Sequence, residues 1–289
     1  MYIDAAGTIF DASLNQADSG NNHNKAYRIQ LLAGTDYRVW TRWGRVGERG
    51  QSALLGSGDL TEAVKHFDKK FREKSGHTWA NRLDPPKSGK YTFIERDYGN
   101  NSEDDDNEIP SASSRRESKA SIGTQKSSST PLPESKLPKA VQNFMELIFN
   151  QNYFAATMKE MDYDANKLPL GKLSKRTLMT GFERLKELAE LFANPALADE
   201  KHNMSYAQAM EEISNSFYTI IPHAFGRQRP PLIATEERLK KEITLLESLS
   251  DMEIANEIMK DAKSGAGERM HSLDRHFAGL GLKEMTPSK

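Results

Sequence analysis

Two tryptophans and two arginines alternate within a few residues of this chain. In Val39-Trp40-Thr41-Arg42-Trp43-Gly44-Arg45-Val46-Gly47, strand alternation puts Val39, Thr41 and Trp43 on one face and Trp40 and Arg42 on the other, and Gly44 and Gly47 permit a tight reversal afterwards. A guanidinium meets phosphate or carboxylate as a fork, and an indole offers a flat face to a base or a sugar. The chemistry such a strand end can perform is recognition of a nucleic-acid end. A core tryptophan beside solvated arginines is the alternative, and spacing alone does not separate the two.

Other chemistry is hard to assemble from these residues. Gly56-Ser57-Gly58 and Gly265-Ala266-Gly267 lack the strand-turn-helix setting and third glycine of a dinucleotide loop; there is no Gly-x-x-x-x-Gly-Lys-Ser/Thr and no His-Glu-x-x-His. No acidic pattern singles out an acid and a base. With no cysteine there is no disulfide, thiolate zinc site or cysteine nucleophile. His223, beside Pro222, reads as a packed or capping residue, and neither it nor His276 is promoted to a catalyst. The expectation is therefore no catalytic residue, no metal and no membrane partner: no stretch approaches the roughly 20 apolar residues of a span, and the N-terminus lacks a signal pattern. The sequons at Asn100-Asn101-Ser102 and Asn203-Met204-Ser205 are expected to be idle in an intracellular protein.

The elements that must position the strand end follow from pattern. The chain has 289 residues, enough for two ordinary domains, and its mean hydropathy of −0.71 suggests that part of it is unfolded. Between Lys25 and Lys90 there are 14 Lys/Arg against 7 Asp/Glu, in a chain whose total charge is −1, so basic charge is concentrated where a polyanion would meet it. Residues 1–98 read as a small antiparallel β-sheet with strands at Asp11–Leu14, Tyr27–Leu32, Tyr37–Trp43, Gln51–Leu55 and Tyr91–Asp97. One helix interrupts them, with Leu60, Val64, Phe67 and Phe71 at helical spacing, Asp59 and Thr61 as cap candidates, and lysines that read as a solvated face or, alternatively, a DNA-facing one. Residues 99–136 hold no aromatic residue, many serines and the acidic run Glu103–Asp106; such a segment reads as a disordered linker. Ser118 and Ser127 within it match short modification patterns of the kind that arise by chance. Residues 137–262 read as an all-α bundle, its apolar stripes punctuated by Pro169, Pro195, Pro222 and Pro230-Pro231, and 263–289 as a tail. The expected class is multidomain α+β.

Two sets of motifs resemble known families. Asn24-Lys25-Ala26-Tyr27, Gln30-Leu31-Leu32, Val39-Trp40, Arg42 to Gly47, Phe67-Asp68-Lys69-Lys70-Phe71, Thr78-Trp79 and Gly89-Lys90-Tyr91 occur in the order of a WGR domain, covering nearly all of residues 1–98. Leu168 to Arg176, Phe217-Tyr218-Thr219-Ile220-Ile221-Pro222-His223, Phe225-Gly226 and Pro230-Pro231-Leu232-Ile233 resemble the α-helical regulatory domain of poly(ADP-ribose) polymerases. Together they point to the DNA-dependent branch, including its fungal members.

The resemblance implies roles. Trp43 would pack on the sugar of a terminal nucleotide, Arg45 would bridge DNA and the bundle, and Asn24, Lys25, Arg42 and Tyr91 would join the DNA-binding set, the partner being a DNA end or nick with a 5′-phosphate. Arg45 is expected to pair with a bundle carboxylate on its second side. Leu245 to Asp251, with Glu247 and Asp251, would be the regulatory segment that lies against the catalytic domain and blocks NAD entry. No cofactor is expected in this chain; NAD would be the substrate of a transferase domain in a longer product, and the segment ending Leu280-Gly281 resembles the approach to that domain. Nuclear localisation follows from the same resemblance. Two rivals stay open: an active enzyme extending beyond Lys289, and a stand-alone DNA- or protein-binding adaptor that competes for ends.

Overall fold

A computed structural model describes residues 1–98, 134–149, 163, 172–264 and 271–281. The linker serines Ser118 and Ser127, the motif residues Leu168 to Gly171 and the tail end 282–289 lie outside the described residues. Compactness divides the chain into two units: Met1–Asp97 with Asn150–Ile254, and Tyr98–Phe149 with Ala255–Lys289.

In the first unit, β1 (Asp11–Asp18), β2 (His23–Ala33), β3 (Tyr37–Arg45), β4 (Gln51–Gly58) and β5 (Thr92–Ile94) form an antiparallel sheet in the order β4-β3-β2-β1-β5. One face carries Ala12, Leu14, Tyr27, Ile29, Leu31 and Val39, all buried against Ala63, Phe67 and Phe71 of α1 (Leu60–Ser75). Asp59 caps that helix by accepting from the Glu62 amide, and Gly76 ends it in the left-handed region at φ 79°. Phe10, Phe67, Phe71, Trp79 and Phe93 interlock with neighbouring centroids 5.0–6.0 Å apart. Each such ring contributes about 2–3 kcal/mol by leaving water. The third tryptophan, Trp79, is thus the core one.

Strands β1 to β4 run longer than the expected pattern, and two of the departures bear on the bundle. β1 and β2 stay paired from Asp11↔Gln30 to Asp18↔His23, through residues too polar to read as strand. The last expected strand, Tyr91–Asp97, divides into β5 and β6 (Arg96–Asp97). At the break, the Glu95 carbonyl accepts from the Ser174 amide at 3.2 Å and the Thr177 hydroxyl at 3.2 Å. Glu95 leaves the sheet to serve a helix N-terminus, and β6 pairs with β7 (Lys172–Leu173) instead.

The helical part of this unit comprises α3 (Lys175–Ala193), α4 (Leu197–His202), α5 (Tyr206–Ile220) and the first turns of α6 (Glu236–Ser264). Ser174 caps α3, and Ser205 with Gln208 makes a reciprocal capping box on α5. Leu178, Leu185 and Leu188 of α3, Ile213 and Phe217 of α5, and Leu245 and Leu246 of α6 share one core, to which the sheet adds Ala17, Val46 and Ile94. At Gly181 a β-carbon would stand 3.0 Å from Ile221 and 3.2 Å from Leu246, so this glycine sets how closely α3 approaches its neighbours. The apolar stripes that suggest two successive helices, Leu239 to Leu246 and Ile254 to Ile258, lie on the single helix α6, since no proline or glycine intervenes.

In the second unit α2 (Lys139–Ile148) packs with α7 (Ser272–Gly279) through Val141, Met145 and Phe277. Asp274 accepts from the Lys136 amide at 2.9 Å and from the Ser135 hydroxyl. The segment expected as tail therefore contains a helix, and the first helix of the expected bundle has this partner.

Candidate nucleic-acid interface

The strand end closes tightly. A β-carbon on Gly44 would fall 2.8 Å from the Gly50 α-carbon, and Gly50 itself, at φ 64°, lies against the Trp43 carbonyl. Glycine at 44 is what lets the β3–β4 hairpin fold back directly behind Trp43. The Trp43 indole, half-buried, stacks on Tyr27, its cross-strand partner, with centroids 6.0 Å apart and planes 16° from parallel. Tyr91 meets Tyr27 edge-on at 6.2 Å, and the Lys74 ammonium sits 4.7 Å from the Tyr27 ring. Burial, reinforced by Tyr27, pushes the Tyr91 phenol up, so at neutral pH it is a neutral donor. Lys25 stands opposite Arg45 in register, one pair beyond Tyr27 and Trp43 on the same strand face.

Lys25, Trp43, Arg45 and Tyr91 are thus brought together. Arg42 joins them from the other strand face: its Nε donates to the Arg49 carbonyl at 2.7 Å, holding the hairpin loop, and it lines the same hollow as Tyr27, Trp43 and Arg45. Asn24 is placed elsewhere. It is fully buried and its Nδ2 donates to the His223 carbonyl at 2.8 Å, so its side chain has no surface to offer a phosphate in this structure. Tyr27, part of the motif, and Lys74, one of the helix lysines that read as solvated or DNA-facing, are further functional candidates that the expected site set leaves out; alternation along β2, with Tyr27 two residues from Lys25, is the signal for the first.

Arg45 joins this cluster to the bundle. Its Nη1 and Nη2 donate to the carbonyl and side-chain oxygens of Asn22 at 3.0 and 2.9 Å, while Nε reaches the Gly226 carbonyl and Nη2 the Gln228 carbonyl. The expected bundle carboxylate is replaced by main-chain carbonyls, because the loop after α5 presents backbone oxygens here.

The rest of the contact is a ladder along α5. The Ser19 hydroxyl donates to Glu211 at 3.0 Å, the Ser19 amide to Asn215 at 2.8 Å, and the Ala17 amide to the Thr219 hydroxyl at 2.9 Å. Asn15, 1% exposed, donates Nδ2 to the Tyr218 and Thr219 carbonyls at 3.0 and 2.9 Å, satisfying acceptors that a helix end leaves open. Beyond the ladder lies a buried polar network. His223 faces the Ile221 carbonyl through Nδ1 at 2.7 Å and Glu242 through Nε2 at 3.0 Å, and Glu242 accepts from the Tyr218 hydroxyl at 3.2 Å. Burial, then the Glu242 charge, raises the Tyr218 phenol well above its ordinary range. His223 is accordingly a packed, hydrogen-bonded histidine, as its place beside Pro222 suggests. Glu242 went unremarked in the sequence, although it interrupts an apolar stripe between Leu239 and Leu246. Glu247 and Asp251 lie on the exposed face of α6 with Lys240, Thr244 and Ile254. Among the described residues no group of three or more His, Asp or Glu is arranged to hold a metal, and no helix is long and apolar enough to cross a membrane.

An open antiparallel sheet with an aromatic and cationic strand end is backed here by a helical bundle. Residues 10–86 match the WGR domain and residues 135–277 the regulatory domain of poly(ADP-ribose) polymerase, so the chain carries both domains. It is 37% identical over 278 residues to human poly [ADP-ribose] polymerase 2, covering 94% of this chain and 43% of that protein. It is 37% identical over 275 residues to human protein mono-ADP-ribosyltransferase PARP3, covering 93% of this chain and 48% of that protein, and 35% identical over 271 residues to poly [ADP-ribose] polymerase 2 of Zea mays, with 91% and 37% covered. The chain thus spans less than half of each of these relatives. A WGR domain in this company points to nucleic acid as a partner.

Proposed function

We propose that this chain is the DNA-break-sensing and autoinhibitory portion of an ADP-ribosyltransferase, working in the nucleus on ends or nicks that carry a 5′-phosphate. NAD is then the substrate of a transferase domain in the whole protein. The observation that carries this reading is Arg45, which belongs at once to the aromatic cluster and to the Gly226–Gln228 loop. Its guanidinium is held by neutral carbonyls, and a phosphate forms stronger, charge-assisted bonds with the same nitrogens. DNA arriving at Trp43 competes for Arg45 and loosens the loop after α5. The bound state then favours an opened bundle, which is the differential affinity that coupling requires. Glu247 and Asp251, exposed on α6, are the surface through which a closed bundle covers a neighbouring NAD site. Backbone and end contacts carry no base code, so recognition is sequence-independent and weakens steeply with salt.

The test is polarisation of a fluorescent nicked duplex, with and without 5′-phosphate, across a salt series, using wild type and Trp43→Ala. Tight, salt-sensitive, phosphate-dependent binding lost in Trp43→Ala is expected. Binding indifferent to Trp43 would make the strand end architectural and move the lead to a protein-docking adaptor. In amide exchange, Arg45→Ala is expected to bind DNA more weakly and, at saturation, to show no DNA-induced change in the bundle.

A further inference from the structure

We propose that the cleft behind Tyr91 receives the first unpaired nucleotide of a broken end; this rests on the end-binding reading and extends it. The cleft, about 240 Å³, lies between β5, the Arg82–Pro86 loop and the first turns of α3. That volume is below the usual range for whole small-molecule sites, about 300–1,000 Å³, and suits a single base with part of its sugar.

Three features select a nucleotide. Tyr91 lines the cleft and also meets Tyr27, which stacks on Trp43, so an aromatic run leads from the proposed terminal pair into the cavity. The floor is apolar, made by Phe93, Ile94 and Ile220. The rim is cationic. Arg82 lies with its guanidinium 4.6 Å from the Trp79 ring, and Arg176 is exposed with no ion pair among the described residues. Two carboxylates also line the cleft, and both have partners: Glu95 accepts from the Ser174 hydroxyl at 3.1 Å, and Asp84 faces His77 at 4.0 Å. A base can therefore leave water against Tyr91 and the floor while its phosphate meets Arg176. Stacking of this kind tolerates any base, consistent with a reader of breaks rather than of sequence.

The experiment compares a 5′-phosphorylated blunt duplex with the same duplex bearing a two-nucleotide 3′ or 5′ extension, by polarisation, for wild type, Arg176→Glu and Thr180→Trp, the last filling the cleft. One extension is expected to bind wild type about tenfold more tightly than the blunt end, and both variants to bring it to the blunt value while blunt binding stays unchanged. A 2-aminopurine at the first unpaired position is expected to be quenched in the wild-type complex, which tests the cleft without any substitution. Equal binding of blunt and extended ends by wild type, an unquenched probe, or an extension preference that survives in folded variants would overturn the cleft and leave end binding standing. Failure of every duplex to bind would overturn end binding and the cleft with it.

Discussion

The two faces of the sheet are held by opposite means. Toward α1 it presents Leu14, Ile29, Leu31 and Val39 to Phe67 and Phe71, with every one of these side chains at 0–2% exposure. Toward α5 it presents Asp11, Ser13 and Asn15, equally hidden but polar, and Asn15 ends on main-chain carbonyls of the bundle. An apolar face is kept by area and is lost only by exposing that area to water. A hydrogen-bonded face exchanges its partners for water at a small net cost, about 0.5–1.5 kcal/mol for each bond. The fold thus carries one permanent, wholly apolar contact and one in which Ala17 and Ile94 share the face with these hydrogen bonds, and the second is the one that faces the regulatory helices.

The largest expected effect comes from breaking the permanent side. Phe71→Ala, at a fully buried ring, is expected to cost about 3–5 kcal/mol in urea unfolding and to melt the sheet, seen as loss of Trp43 and Trp79 near-ultraviolet signal. A cost below about 1 kcal/mol would mean that the two faces are not so different. Next comes Glu242→Ala, which removes the partner of His223 Nε2 and the acceptor of the Tyr218 hydroxyl in a buried site and is expected to cost about 3 kcal/mol. Here the bundle should lose protection against amide exchange while the α1 face keeps it; equal loss on both faces would erase the distinction. Asn15→Ala removes two bonds to helix-end carbonyls and is expected to cost about 1–2 kcal/mol, with faster amide exchange confined to the end of α5 and the loop after it.

The smallest effect lies in the second unit and depends on pH. Burial opposes the Asp274 charge, yet the Lys136 amide and the Ser135 hydroxyl outweigh it and hold the carboxyl below its ordinary value. A depressed carboxylate adds stability that is complete above its unfolded pKa, about 3.9, and is lost as pH falls through the lower folded one. The α2–α7 contact is therefore expected to weaken only in that acid window, and Asp274→Asn to remove this dependence. Chemical shifts of the Lys136 amide across a pH titration would report either result.

What could be read from the chain, and what could not, follows the same division. Phe67 and Phe71 at helical spacing, the alternation of Val39, Thr41 and Trp43, and prolines between apolar stripes announce α1, β3 and the helices, because burial against apolar partners leaves a periodic mark. The polar half of β1 leaves none. Asn15 and Asp18 resemble turn residues, and the strand can bury Asn15 only because α5 supplies carbonyls 203 and 204 positions away. Glu95 ends β5 for an equally remote reason. At the candidate site Trp43, Lys25 and Tyr91 carry their chemistry in their side chains and could be found by type. The partner of Arg45 could not, since a main-chain carbonyl belongs to every residue. Asn24, selected by motif, lies at 0% exposure because the bundle covers it.

The ladder on α5 also has a built-in length. Its donors fall at Asn15, Ala17 and Ser19, and its partners on α5 at Tyr218, Thr219, Asn215 and Glu211: Asn15 and Ala17 share Thr219, and Ser19 reaches both Asn215 and Glu211. From Asn15 to Ser19 an extended chain advances about 13 Å, and from Glu211 to Thr219 a helix advances about 12 Å. The two spans nearly coincide, so sharing of partners at each end absorbs the difference between the strand's repeat and the helix's. The strand and the helix are commensurate as whole segments rather than residue by residue.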